Sequence, residues 1–257
     1  INERSKSGLG LFGSINTASI KNTGIVKSYI LGYAGIGAIT GYNIDGTIEN
    51  CSNSGKITGI SEYAGGIAGY TSGGEISGCC NTGNITGEIH GIVGCLCVGG
   101  IAGRSSTTIT DCYNTGTIKS PDNYTGGIAG TAAGFAAISD CYNTGEVYGG
   151  SYVGGIAGVN SIPISNCYNR GKIYNLYSSY NKYAGGIVGY NYNVVISNCF
   201  NIGYINSIGN CMGGIAGYSK GNIERCYNTG TLISRSGREN VGGVVGENDG
   251  GTVMFAY

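Results

Sequence analysis

"GGIAGYTSGGEISGCCNTGNITG" (residues 65–87) surrounds one isoleucine with glycines, then sets Cys79, Asn81, Gly83 and Ile85 two residues apart. That even spacing is the signature of one face of an extended strand. The glycine cassette recurs along the whole chain. Copies or degenerate copies of Gly-Gly-Ile-Ala-Gly begin at Leu9, Gly37, Gly65, Gly99, Gly126, Gly154, Gly185, Gly213 and Gly242. Their separations of 28, 28, 34, 27, 28, 31, 28 and 29 residues hold one period through a few insertions, so each copy opens one structural repeat.

A second marker, Ile-x-x-Cys-Tyr-Asn-Thr-Gly-x-Ile, keeps step with the first and is clearest at 109–118 and 138–147. Its Cys position reads Ile20, Cys51, Cys79, Cys112, Cys141, Cys167, Cys199, Cys226 and Ala256, all small or apolar. The Asn position runs from Asn22 and Asn53 to Asn228, and the Gly position from Gly24 and Gly55 to Gly230. Asn tolerates left-handed backbone and its amide can bond the same group one layer away, while Gly accepts positive φ; together they mark a repeated corner. The Cys, Asn, Gly and following Val26, Ile57, Ile85, Ile118 or Val147 positions share one face, which is placed inward. The cassettes supply a second strand, with Leu11, Ile39, Ile67, Ile101, Ile128, Ile156, Ile187, Ile215 and Val244 stacked at its centre.

Repeats of this length, with short strands and stacking columns, predict an all-β fold. The chain reads as a β-solenoid, a right-handed parallel β-helix of about nine coils of roughly 28 residues, forming one continuous domain over 1–257. A propeller blade needs about 40 residues, and leucine-rich repeats need leucine columns that are missing. Collagen is excluded because the 52 glycines lack a strict every-third spacing. Disorder is excluded because 41% of residues are hydrophobic and only 11% charged. Fourteen basic residues balance fourteen acidic ones with no basic run, giving no electrostatic reason to bind nucleic acid or anionic lipid. No stretch approaches the roughly 20 apolar residues of a membrane span, and the chain opens without Met, as a piece of something longer would.

"GLFG" at 10–13, "GGIAG" at 65–69 and the following "CYNTG" elements resemble the GLUG-motif repeat of bacterial cell-surface adhesins and IgA-specific metallopeptidases. The resemblance covers nearly the whole chain. It implies a secreted or wall-attached bacterial protein whose repeat segment supports other domains or contacts a host. It does not imply peptidase activity, because His-Glu-x-x-His is absent and the single histidine is His90.

Eleven cysteines in an extracellular protein would ordinarily suggest disulfides. Seven share one column, however, where parallel Cβ vectors oppose the disulfide torsion, so stacked, reduced thiols are expected. Cys79, Cys80, His90, Cys95 and Cys97 lie close enough in sequence to suggest zinc, but fit no metal-site spacing and partly occupy repeat columns. No metal or cofactor is expected. Asp111 and Asp140 share a column and form the best carboxylate pair for a glycosidase or lyase, yet Asn50, Asn166 and Asn198 in that column favour a turn role.

Tyrosines offer a binding surface instead. Tyr113, Tyr142, Tyr168, Phe200, Tyr227 and Tyr257 follow the Cys column, and Tyr63, Tyr124, Tyr152 and Tyr183 precede the cassettes; cross-coil stacking explains both sets. Insertions at 86–96 and 174–182 interrupt the same place in two repeats. The second puts Tyr174, Tyr177 and Tyr180 on a loop beside Tyr183, and these four are the ligand-binding candidates. The leading expectation is a non-enzymatic, extracellular scaffold or adhesin segment of a bacterial surface protein, with a host protein or glycan as partner. A carbohydrate-binding module using tyrosine loops is the alternative, and a polysaccharide-cleaving β-helix comes third.

Overall fold

The computed structural model describes residues 1–88, 96–121, 124–177, 182–235, 237 and 240–256. Its described elements are all strands, most of two to five residues and the longest Ala68–Ser77, and every strand pair is parallel between successive coils. One coil shows the plan. Strands Ala129–Ala132, Ile138–Ser139, Tyr142–Asn143, Val147–Gly149 and Tyr152–Gly154 lie against Ala157, Ile164, Tyr168, Ile173 and Tyr183 of the next coil. Two of the resulting sheets hold eight strands and another nine, so the chain is a β-solenoid of about eight turns rather than nine. The nine cassettes overcount because the outermost repeats are incomplete turns.

Insertions leave the stacking intact. The steps of 34 and 31 residues place their extra chain between Ile85–Gly87 and Cys97–Gly99, and between Ile173–Asn175 and Tyr183–Gly185, the same corner in both coils. Pairing resumes in register beyond each, with Val98 opposite Ala64 and Ala184 opposite Val153.

Two apolar cores run along the axis. One stacks the cassette isoleucines Ile39 to Ile215, the Ile48–Ile223 column and the cysteines; the other stacks Ile57, Ile85, Ile118, Val147, Ile173 and Ile205 against Ala64, Val98, Val153 and Met212. Between the Cys and Ile positions of each coil sits the buried asparagine. Asn53 Nδ2 donates to Asn81 Oδ1 at 2.8 Å, and the chain of bonds continues through Asn114, Asn143, Asn169 and Asn201 to Asn228 at 2.7–2.8 Å. The second N–H of each amide goes to the carbonyl of its own Gly two residues on, as from Asn143 to Gly145 at 2.9 Å. A buried polar column is thus fully satisfied along its length.

The structure corrects the corner. Left-handed φ values fall on the residue before each cysteine position: Asn22, Asn50, Gly78, Asp111, Asp140, Asn166, Asn198, Arg225 and Phe255. The Asn-Thr-Gly residues are not left-handed. Their glycines are required because a Cβ at Gly116 or Gly145 would run into the carbonyl of the matching glycine in the preceding coil.

The first repeat is also corrected. Ile20 stands opposite Ile48, and Gly24 opposite Ser52, so the Cys position there is Thr23 and the Asn position Ile25. One extra residue before Tyr29 then lets Ile30, rather than Val26, face Ile57. Leu11, expected in the core, is 49% exposed because among the described residues no coil stacks beyond it.

A second polar column runs through the first core's edge. Thr71 donates to Ser105, Asn160 to Asn191 and Asn191 to Ser219, each at 3.1 Å and each buried.

Candidate functional site

The outward face of the solenoid is where the tyrosines gather. Tyr113, Tyr142, Tyr168, Phe200 and Tyr227 form a nearly parallel stack, with centroids 4.9–5.1 Å apart and planes within 5°. Their spacing follows the parallel ladder beneath them, so coil stacking alone accounts for the geometry. Tyr257 lies outside the described residues.

The four candidate residues do not form one loop site. Tyr174 belongs to strand Ile173–Asn175, not a loop, and its ring stacks on Tyr148 at 4.5 Å. Tyr148 donates its hydroxyl to Glu146 Oε2 at 2.8 Å; burial and then that carboxylate push its phenol up to about 12. Tyr177 follows the strand and is 40% exposed. Tyr180 lies outside the described residues. Tyr183 belongs to strand Tyr183–Gly185 in a different sheet and packs among Tyr152, Tyr190 and Tyr218.

That last neighbourhood joins two columns. The column before the cassette carries Tyr63, Cys97, Tyr124, Tyr152, Tyr183 and Cys211. The column after it carries Tyr42, Tyr70, Arg104, Thr131, Val159, Tyr190 and Tyr218. The last cassette glycine brings the two strands backbone to backbone: a Cβ at Gly158 would lie 2.6 Å from Thr125 N and 2.7 Å from Gly130 O. Rings from the two columns therefore touch, as in Tyr63–Tyr70 at 5.4 Å and Tyr152–Tyr190 at 5.9 Å, nearly edge to face. Sequence reading found the first column and missed the second, because Arg, Thr and Val interrupt its tyrosines.

The remaining chemistry-bearing groups sit in structural positions. The column cysteines are free thiols, each donating to a carbonyl two residues back, as Cys112 does to Thr110 at 3.1 Å. Hydrogen bonding to the Cys112 sulfur and burial push the Cys79 thiol up to about 12. Cys79 is in the core and Cys97 in the tyrosine column, while His90 and Cys95 lie outside the described residues. Among the described residues no three His, Cys, Asp or Glu side chains converge as metal ligands. Asp111 and Asp140 occupy left-handed corners at φ 52° and 55°, and Asp140 accepts a bond from Asn166 Nδ2 at 3.1 Å, continuing a column of turn-forming side chains.

The fold and its columns define a parallel β-solenoid built from one repeated sequence unit. The family model of the GLUG motif matches residues 32–58, 94–119 and 122–148, so three of the repeats carry the GLUG motif. No curated protein and no solved structure matches it.

Proposed function

We propose that this solenoid is a non-enzymatic, extracellular scaffold or adhesin segment of a bacterial surface protein, holding neighbouring domains or a contact surface away from the cell. The carrying observation is that the inward columns are spent on stacking: isoleucines, thiols and amides each meet their equivalents in the next coil. Such a stack gives a stiff unit whose length is set by repeat number, the property a spacer needs. The resemblance of the repeats at 10–13, 65–69 and the following Cys-Tyr-Asn-Thr-Gly elements to those of bacterial adhesins supports the surface context. Antibodies to the purified chain should label intact producing cells, and beads coated with it should adhere to a host-cell monolayer. Labelling confined to permeabilised cells would overturn the extracellular placement, and non-adherent beads would leave a spacer without adhesin activity.

A further inference from the structure

We propose that the outer tyrosine surface contains a carbohydrate subsite, a notch beside Tyr192 that accepts one uncharged pyranose ring of a glycan. The proposal goes beyond the scaffold role, which stands whether or not the notch binds. The column after the cassette carries no ring from Arg104 through Thr131 to Val159 and regains one at Tyr190. The gap leaves a cleft of about 240 Å³ lined by Tyr124, Tyr152, Val159, Tyr190 and Tyr192.

Tyr192 is the informative residue. It lies outside both tyrosine columns, is 57% exposed, and meets the ring of Tyr190 at 5.5 Å and 40°. The matching positions in adjacent coils, which make the same backbone bond, are Ser161 and Lys220, so stacking of coils demands no ring there. Around the notch the rings are tilted or perpendicular rather than parallel, so they wall a space instead of filling it.

The chemistry of that space selects its occupant. A sugar ring lays its C–H face on an aromatic face, and phenolic hydroxyls meet its hydroxyl groups. The volume is below the roughly 300–1,000 Å³ of pockets for drug-sized ligands, which suits a single ring. Among the described residues no charged side chain lines the cleft, favouring a neutral sugar. A proline-rich peptide would need an aromatic groove several residues long, since its left-handed helix advances only about 3.1 Å per residue.

The test uses the intact chain with xylo-, manno-, cello- and chitotetraose, read by saturation-transfer NMR and by tyrosine fluorescence, which 21 Tyr and no Trp leave uncontaminated. At least one tetrasaccharide should bind. Val159→Tyr, which extends the ring column from Tyr190 into the notch, should weaken binding at least tenfold, and Tyr192→Ala should do the same. Tyr227→Ala, in the separate stack, should leave binding unchanged. Tyr192 is exposed, so its variant decides the matter even if Val159→Tyr alters the fold. Failure of all four sugars to bind, binding insensitive to Tyr192→Ala, or displacement of the sugar by a proline-rich decapeptide would each overturn the proposal.

Discussion

Asparagine at the centre of each coil solves a problem that no other side chain solves at that length. An amide has both donors and an acceptor, so Asn143 can give one N–H to Gly145 O, give the other to Asn169 Oδ1, and accept from Asn114 Nδ2. Aspartate would lack the donors and leave a buried charge; alanine would orphan groups on both neighbours. Asn143→Ala should therefore cost about 1–3 kcal/mol, the penalty of unpaired buried groups, read as a lower midpoint in urea denaturation. An unchanged midpoint would mean that the amide ladder contributes nothing to stability. The thiol column makes a different prediction, in pH. Cys79 has a folded pKa of about 12 against an ordinary value of 9.0, so the fold favours the protonated thiol. Its contribution is fully present below pH 9 and fades as pH rises toward 12. Urea midpoints measured from pH 8 to 11 should decline, and less steeply in Cys79→Ala; parallel slopes would remove the thiol from the account.

Within the cassette, the glycines are dictated by neighbours rather than by dihedral freedom. A Cβ on Gly127 would lie 2.5 Å from Asn143 Cγ and 2.6 Å from its Cβ, and would also meet Gly155 O. The cassette strand is thus pressed against the amide ladder, which is why the two motifs recur together. Gly243 holds the same cassette position in the last repeat, and nothing lies within 4 Å of its Cβ direction. Gly127→Ala should lose about 1–3 kcal/mol by overpacking, while Gly243→Ala should stay within about 0.5 kcal/mol in the same denaturation assay. Equal losses at both sites would point to an intrinsic backbone effect instead. This coupling also marks what the sequence could disclose. The amide stack and the inward Cys-Asn-Gly-Ile face were readable because residue type is kept from coil to coil. The left-handed corner was misplaced because Asn, Gly, Asp, Arg and Phe all occupy it, and the polar column of Thr71, Ser105 and Asn191 was missed for the same reason. Tyr174 was misassigned to a loop because the insertion begins only after its strand has ended.

Across the whole stack, the backbone ladders among the described residues join each coil to the coils before and after it, and a surface pair such as Arg4–Glu88 that reaches further is exposed, so stability is chiefly a sum of repeat and nearest-neighbour contributions rather than one indivisible core. Removing an entire repeat should reseal every ladder. Deleting residues 127–154 joins Gly126 to Gly155, which occupy adjoining cassette positions in successive coils. Cys112 would then meet Cys167, Asn114 would meet Asn169, and Tyr124 would meet Tyr183, all like for like. The shortened chain should keep its β circular dichroism, melt cooperatively somewhat below the parent, and lose about 4.8 Å of length in solution scattering, one interstrand spacing. A deletion of 127–140 should behave in the opposite way, since half a coil sets turn residues against core columns and breaks register on every later face. If the 28-residue deletion unfolds while single-site changes do not, the coils are not interchangeable and a particular repeat carries the nucleus of the fold. If both deletions fold equally well, register is not what holds the solenoid together.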